Sequence, residues 1–428
     1  MGLQCIPNQP IDFCTHVNQS CVCGPTGLYR GSVSENDVTE FQFNITPSAN
    51  NTANDLSTAC GVNWNCGAGW SINTVSEVAS YSGAGAGIFD TTLFAVLNTG
   101  VYHRITFDIN PTTTSGASLI PTLGGNNIKQ IGFNSLIPGI WQTVTIYVYL
   151  NTKSDDKVGF NPGACPAFDI RNITVQEMTT AIPIIEDLDG NALYTFTPNA
   201  ATFTGITNVY PTPNIYQIND SVASNPIEVY YRGDLCMVKI LDWSLLSIAY
   251  GCVQIKIKEA VTPFNTWTSN DLNYKQSHEC SLLLSWTSDE NVFGFNYVNL
   301  SFTQYFRLSA KLRNPRYIYE DEETYVNSSG VGNIIHAYSY KVFEFTSTLL
   351  PEYLHDALRL GIIHTDFQVD GIRMLKDEGD YSPAWDNIWN QAYVQFDLIQ
   401  ADVGRLNSMR RCKSVGVGGD GVGSTVIL

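Results

Sequence analysis

The chain has 428 residues, enough for two or three domains with cores of ordinary size. Charged residues make up only 15% against 44% apolar, and the formal net charge of −17 excludes a general grip on nucleic acid or an anionic membrane. No segment approaches the roughly 18 consecutive apolar residues of a membrane span, so no membrane insertion is expected.

Residues 1–30 are punctuated by Pro, Gly and Cys and read as an extended N-terminal arm with little regular structure. Cys14, Cys21 and Cys23 with His16 leave a zinc site or a disulfide knot open, but Cys-x-Cys spacing is poor for zinc. Across the eleven cysteines mostly reduced thiols are expected, with disulfides forming late. Residues 1–20 hold Pro7, Pro10, Asp12 and His16 and no apolar core, so a secretory signal is not expected.

Residues 31–179 carry the strongest pattern. Val38–Ile45 alternates cleanly and is expected to be the first strand of a sandwich. Tyr102–Ile109 alternates likewise, and Val144–Leu150 is rich in β-branched and aromatic residues. Gly124-Gly125 and Pro138-Gly139 are turn signals between such strands. The expected fold is mainly β: an antiparallel β-sandwich, followed by further β-rich domains and one or two short C-terminal helices.

Taken in order, Trp70-Ser71-Ile72, the small-residue run Ser82–Gly87, Val101–Ile109, Leu119–Gly125, Gly139–Tyr149 and Phe168–Val175 resemble the jelly-roll modules of the galactose-binding-like superfamily. Such modules are appended to glycosidases and to bacteriophage tail and fibre proteins. The resemblance covers about a quarter of the chain and implies a carbohydrate-binding-type sandwich.

Residues 180–275 read as a second β-rich region. Asp187–Asn191 has the look of a calcium loop without its closing Glu, and lies between apolar strands as a hairpin turn would. The loop Tyr210–Pro213 is a candidate contact loop. Residues 276–412 form a third, β-rich assembly or anchoring region with one helix over Leu349–Leu360, capped by Ser347 or Thr348, with Pro351 in its first turn and Gly361 at its end. Its stretches His364–Gly371 and Glu378–Trp385 resemble C-terminal regions of tail proteins of phages infecting Bacteroidetes. Residues 413–428 are a Gly-rich tail.

The chain holds no nucleophile elbow, phosphate loop or zincin motif, and no dinucleotide fingerprint after a strand, so no enzyme activity and no cofactor are expected. His355, Asp356, His364 and Asp366 are the nearest approach to a metal cluster, but a helix end with polar loop residues explains them better. Sugar sites stack a ring on an exposed aromatic residue and bind its hydroxyls with planar polar groups. Trp64, Trp70, Tyr81, Tyr102 and Trp141 are the aromatic candidates, with Asn63, Asn65, Arg104 and Asn134 as polar partners. Trp70 and Trp141 suit core positions, whereas Trp64 and Tyr81, flanked by Gly, Asn and Ser, are the expected exposed pair. The expected contact set is therefore Trp64, Tyr81, Asn63, Asn65 and Arg104.

Together these readings point to a structural component of a bacteriophage virion, of the tail or baseplate, assembled in the host cytoplasm. Its expected partners are further copies of itself, other tail or baseplate proteins and a host-surface glycan. The alternative is a carbohydrate-binding protein, receptor-binding or accessory to a depolymerase.

Overall fold

In this computed structural model the described residues are 2–15, 31–46, 56–93, 96–113, 118–128, 130–150, 152–163, 165–178, 180–198, 208–209, 216–232, 234–259, 265–298, 301–326, 328–377, 379–386, 391–401 and 404–407. The chain divides into two compact units, residues 1–279 with 288–307, and residues 280–287 with 308–428. The fold is mainly β, as expected.

The first unit contains an antiparallel sandwich with jelly-roll connectivity. Successive strands alternate between its sheets: Val78–Tyr81, Val101–Pro111, Gln142–Leu150 and Phe168–Met178 lie in one, and Phe89–Thr92, Ser118–Leu123 and Lys157–Asn161 in the other. The alternation read from Tyr102–Ile109 is real: Ile105, Phe107 and Ile109 are buried, while Arg104, Thr106 and Asp108 point outward. Between the sheets, Trp64, Trp70, Phe89, Phe107, Phe133, Phe160 and Phe168 form one continuous core.

The small-residue run Ser82–Gly87 also has its explanation here. A Cβ on Gly87 would lie 2.0 Å from the amide nitrogen of Ala68, and one on Gly69 2.1 Å from the carbonyl of Ala84. Two backbone segments thus pack directly on one another, which only glycine permits.

The strand Thr39–Thr46 does not open the sandwich. It pairs on one side with Gly2–Cys5 and on the other with Leu235–Ile240, in a sheet completed by Ile227–Arg232 and Tyr216–Asn219. Phe41, Phe43 and Ile45 thereby join a second core with Ile185, Ile255, Ile257 and Trp267. The alternating pattern fixes a strand but not its partner, which here comes from nearly two hundred residues away.

The described residues of the first thirty contribute two short strands, Gly2–Cys5 and Phe13–Thr15. Phe13–Thr15 pairs with Thr266–Ser269, and the amide of Leu3 donates to Glu259 at 2.7 Å. Residues 16–30, with His16, Cys21 and Cys23, lie outside the described residues, as do Tyr210–Pro213 and residues 408–428.

Asp187–Asn191 is a hairpin turn between Ala181–Asp187 and Ala192–Thr195. The Asp187 carboxylate accepts from the amides of Asp189 and Asn191, so the turn itself uses the acid.

In the second unit, Ser281–Thr287 pairs with Asp366–Val369, and Gly332–Ser347 pairs with Arg316–Val326 and Gln395–Gln400. The helix spans Glu352–Gly361 and buries Leu354, Ala357 and Leu358. It starts later than expected, because Leu350–Pro351 forms a short strand with Gln391–Tyr393. Pro351 precedes the first turn and no side chain caps it; the Ser347 hydroxyl instead binds the backbone of Val394 and Thr348. Gly361 ends the helix, as expected, where a Cβ would lie 2.8 Å from the Trp286 indole.

Candidate functional site

The sequence-derived sugar site is not assembled. Trp64 is fully buried and stacked on Phe89 with ring centroids 4.4 Å apart. Tyr81 is 2% exposed, and its hydroxyl donates to the carbonyl of Gly85. Neither ring can meet a ligand. The Gly, Asn and Ser residues flanking them mark tight backbone packing, not exposure. Asn63 and Asn65 are exposed on the loop closed by the disulfide Cys60–Cys66. Four other described cysteines, Cys165, Cys236, Cys252 and Cys280, are free. Burial pushes the Cys165 and Cys236 thiols up to about 12.

Arg104 belongs to the other sheet. Its guanidinium donates to Asp234 at 2.7 Å and to Gln176 at 2.6 Å. The Asp234 partner ties the outer sheet face to the segment before Leu235–Ile240, while Gln176 is Arg104's cross-strand neighbour, and Tyr102, Tyr147 and Met178 nearby are buried in the second core. One end of the outer face is therefore covered, and Arg104 is a structural residue.

Among the described residues the other end of that face is open and polar. Asp108 is its centre: one carboxylate oxygen accepts from the Thr143 hydroxyl at 2.7 Å, the other from the Asn172 amide at 2.7 Å and from Arg171 Nε at 3.4 Å. Asn172 reaches Asp108 because it has a left-handed φ of 53° at a β-bulge between Arg171 and Thr174. Beside this group Asp169 accepts from the Ser80 hydroxyl at 2.6 Å, directly across from Asn110.

Trp141 lies at the rim. The indole is half-buried, and the Arg171 guanidinium sits over its ring at 4.1 Å from the centroid. Trp141 is not in the core, contrary to the expectation above, and strand parity gives the reason. Val144 and Ile146 point inward, so residues 141, 143 and 145 share the outward face. That signal was available in the sequence.

The loop before Trp141 is held rigidly. Gln142, itself buried, accepts from the amide of Ile137 at 3.2 Å and donates to the carbonyls of Ile137 and Ile140. The amide of Gly139, at the predicted turn, donates to Pro111 at 2.8 Å. Ile137 and Ile140 are thus presented to solvent, 56% and 54% exposed, beside the Asp108 group.

In the second unit, His355 and His364 do not converge on a metal. His355 Nδ1 is 2.8 Å from the Tyr381 hydroxyl and Nε2 3.0 Å from the Ala392 carbonyl. The carbonyl requires a proton on Nε2, so Nδ1 accepts from Tyr381. His364 Nδ1 donates to the Leu360 carbonyl at 2.7 Å. Burial holds both imidazoles below the usual value, hence neutral. Among the described residues no three metal-ligating side chains gather.

No protein-family model matches the sequence, and no curated protein matches it significantly.

Proposed function

We propose that the chain is a structural component of a bacteriophage virion, of its tail or baseplate, which assembles in multiple copies and presents its jelly-roll sandwich to host-surface glycan. The glycan contact is the outer sheet face around Asp108, Arg171, Asn172 and Trp141, in place of the buried Trp64 and Tyr81.

The observation that carries the reading is the open end of that sheet face. Planar amides, hydroxyls and carboxylates, hydrogen-bonded to one another, lie next to a half-buried indole. Preorganised polar groups beside an aromatic ring match what sugar hydroxyls and ring C–H groups require. The polar, weakly charged composition and the Cys60–Cys66 disulfide suit a protein that works outside a reducing cytosol.

Light scattering on the purified full chain tests the structural half of the proposal. A defined multimer is expected. A strict monomer that still binds glycan would favour the second reading, a free carbohydrate-binding protein acting on host polysaccharide.

A further inference from the structure

Trp385 is 45% exposed, the most exposed tryptophan among the described residues. It sits on Ala384–Asp386, the outer strand of a small sheet completed by Gln391–Tyr393 and Leu350–Pro351. Scattered apolar side chains on a surface are ordinary. The support beneath this one is not.

The Trp385 ring meets the His355 ring edge-on, with centroids 5.6 Å apart. His355 is 4% exposed and fixed at both nitrogens, by Tyr381 on one side and the Ala392 carbonyl on the other. Tyr381 packs in turn against Phe396 at 5.8 Å, and Phe396 stacks on Phe345 at 4.8 Å. An aromatic column thus runs from the core of the second unit to its surface and ends on an open indole. A ring already ordered by its own protein loses little entropy when it binds.

Carboxylates flank the column: Asp380 precedes Tyr381 and Asp386 follows Trp385 in the chain. Asp356 and Arg359, both half-exposed, pair at 3.3 Å on the helix that carries His355, and both act electrostatically on the Tyr381 hydroxyl. Carboxylates beside an aromatic plate accept from hydroxyl groups and disfavour an anion, so the plate suits a ligand that is rich in hydroxyls and carries no negative charge.

We propose that Trp385 is a stacking platform for a pyranose ring of a neutral polysaccharide, held in place by His355 and Tyr381, with the Asp356–Arg359 pair available to the sugar hydroxyls. This site is in the second unit and does not depend on the sandwich face proposed above.

Native affinity electrophoresis of the full chain, with dextran, mannan or arabinogalactan cast in the gel, tests it. At least one of the three should retard the protein. Trp385→Ala should weaken that retardation about tenfold in apparent affinity, and Trp385→Phe should recover part of it. Trp141→Ala should leave the Trp385-dependent part in place, which separates failure of this site from failure of the sandwich site. Because Trp385 is half-exposed, its alanine variant should melt as the parent does, and the melting curve checks that a loss is not unfolding. Retardation by none of the three, or equal retardation of Trp385→Ala, overturns the proposal.

Discussion

The Trp70 indole nitrogen donates to the carbonyl of Gly87 at 2.9 Å, so the small-residue run and the sandwich core are one structure. The hydroxyl of Tyr81 makes a parallel bond to Gly85. Both aromatic residues satisfy their polar atoms on a backbone that only glycine lets approach so closely.

Gly87→Ala should therefore destabilise the sandwich by about 3 kcal/mol, because its Cβ meets backbone atoms that cannot yield. Gly139→Ala is the control. Gly139 has a left-handed φ of 74° and nothing within 4 Å of a built Cβ, so the cost should be about 1 kcal/mol of conformational strain. Denaturant titration of the two variants measures the difference.

Trp64 separates packing from binding. Trp64→Ala should cost about 3–5 kcal/mol as a buried large-to-small change. Trp64→Phe should cost much less, since the Trp64 indole nitrogen is buried without an acceptor among the described residues and Phe removes that unsatisfied donor. Thermal unfolding of both variants checks this order; equal losses would contradict it.

The alternation of Tyr102–Ile109, the turns at Gly124-Gly125 and Pro138-Gly139, and the hairpin at Asp187–Asn191 were legible, because each is set by residues close in sequence. The pairing of Thr39–Thr46 with Leu235–Ile240 was not, because local period carries no information about a distant partner. Trp64 and Tyr81 misled for a physical reason: glycine and serine beside an aromatic residue signal either an exposed loop or backbone-on-backbone packing. Composition alone does not distinguish these, whereas for Trp141 the parity of Val144 and Ile146 did.

The disulfide Cys60–Cys66 closes a short loop, with a sequence separation of 6. The Cys60→Ser, Cys66→Ser double variant should lose about 2 kcal/mol through added freedom of the unfolded chain. A reducing agent should lower the melting temperature of the parent and leave that of the double variant unchanged.

Glu40 is buried, pairs with Lys239 at 2.6 Å and accepts from the amide of Thr303 at 2.9 Å. Burial outweighs these partners and holds its carboxyl above the usual 4.5. A pKa raised on folding means the folded state holds the proton more tightly. That stability is present below about pH 4.5 and is lost as pH rises through the folded value. Glu259, raised by burial as well, acts in the same direction. Glu40→Gln should flatten the fall in stability across this window, measured as melting temperature against pH; an unchanged slope would contradict the assignment.

The most direct test of the account is glycan-array binding of the full chain carrying Trp385→Ala, so that the second site does not contribute. The account predicts binding to at least one glycan, retained when Trp64→Phe is added and lost when Trp141→Ala is added. Loss with Trp64→Phe alongside retention with Trp141→Ala, or no binding at all, would contradict the claim that the sandwich meets its ligand through the outer face around Asp108 and Trp141.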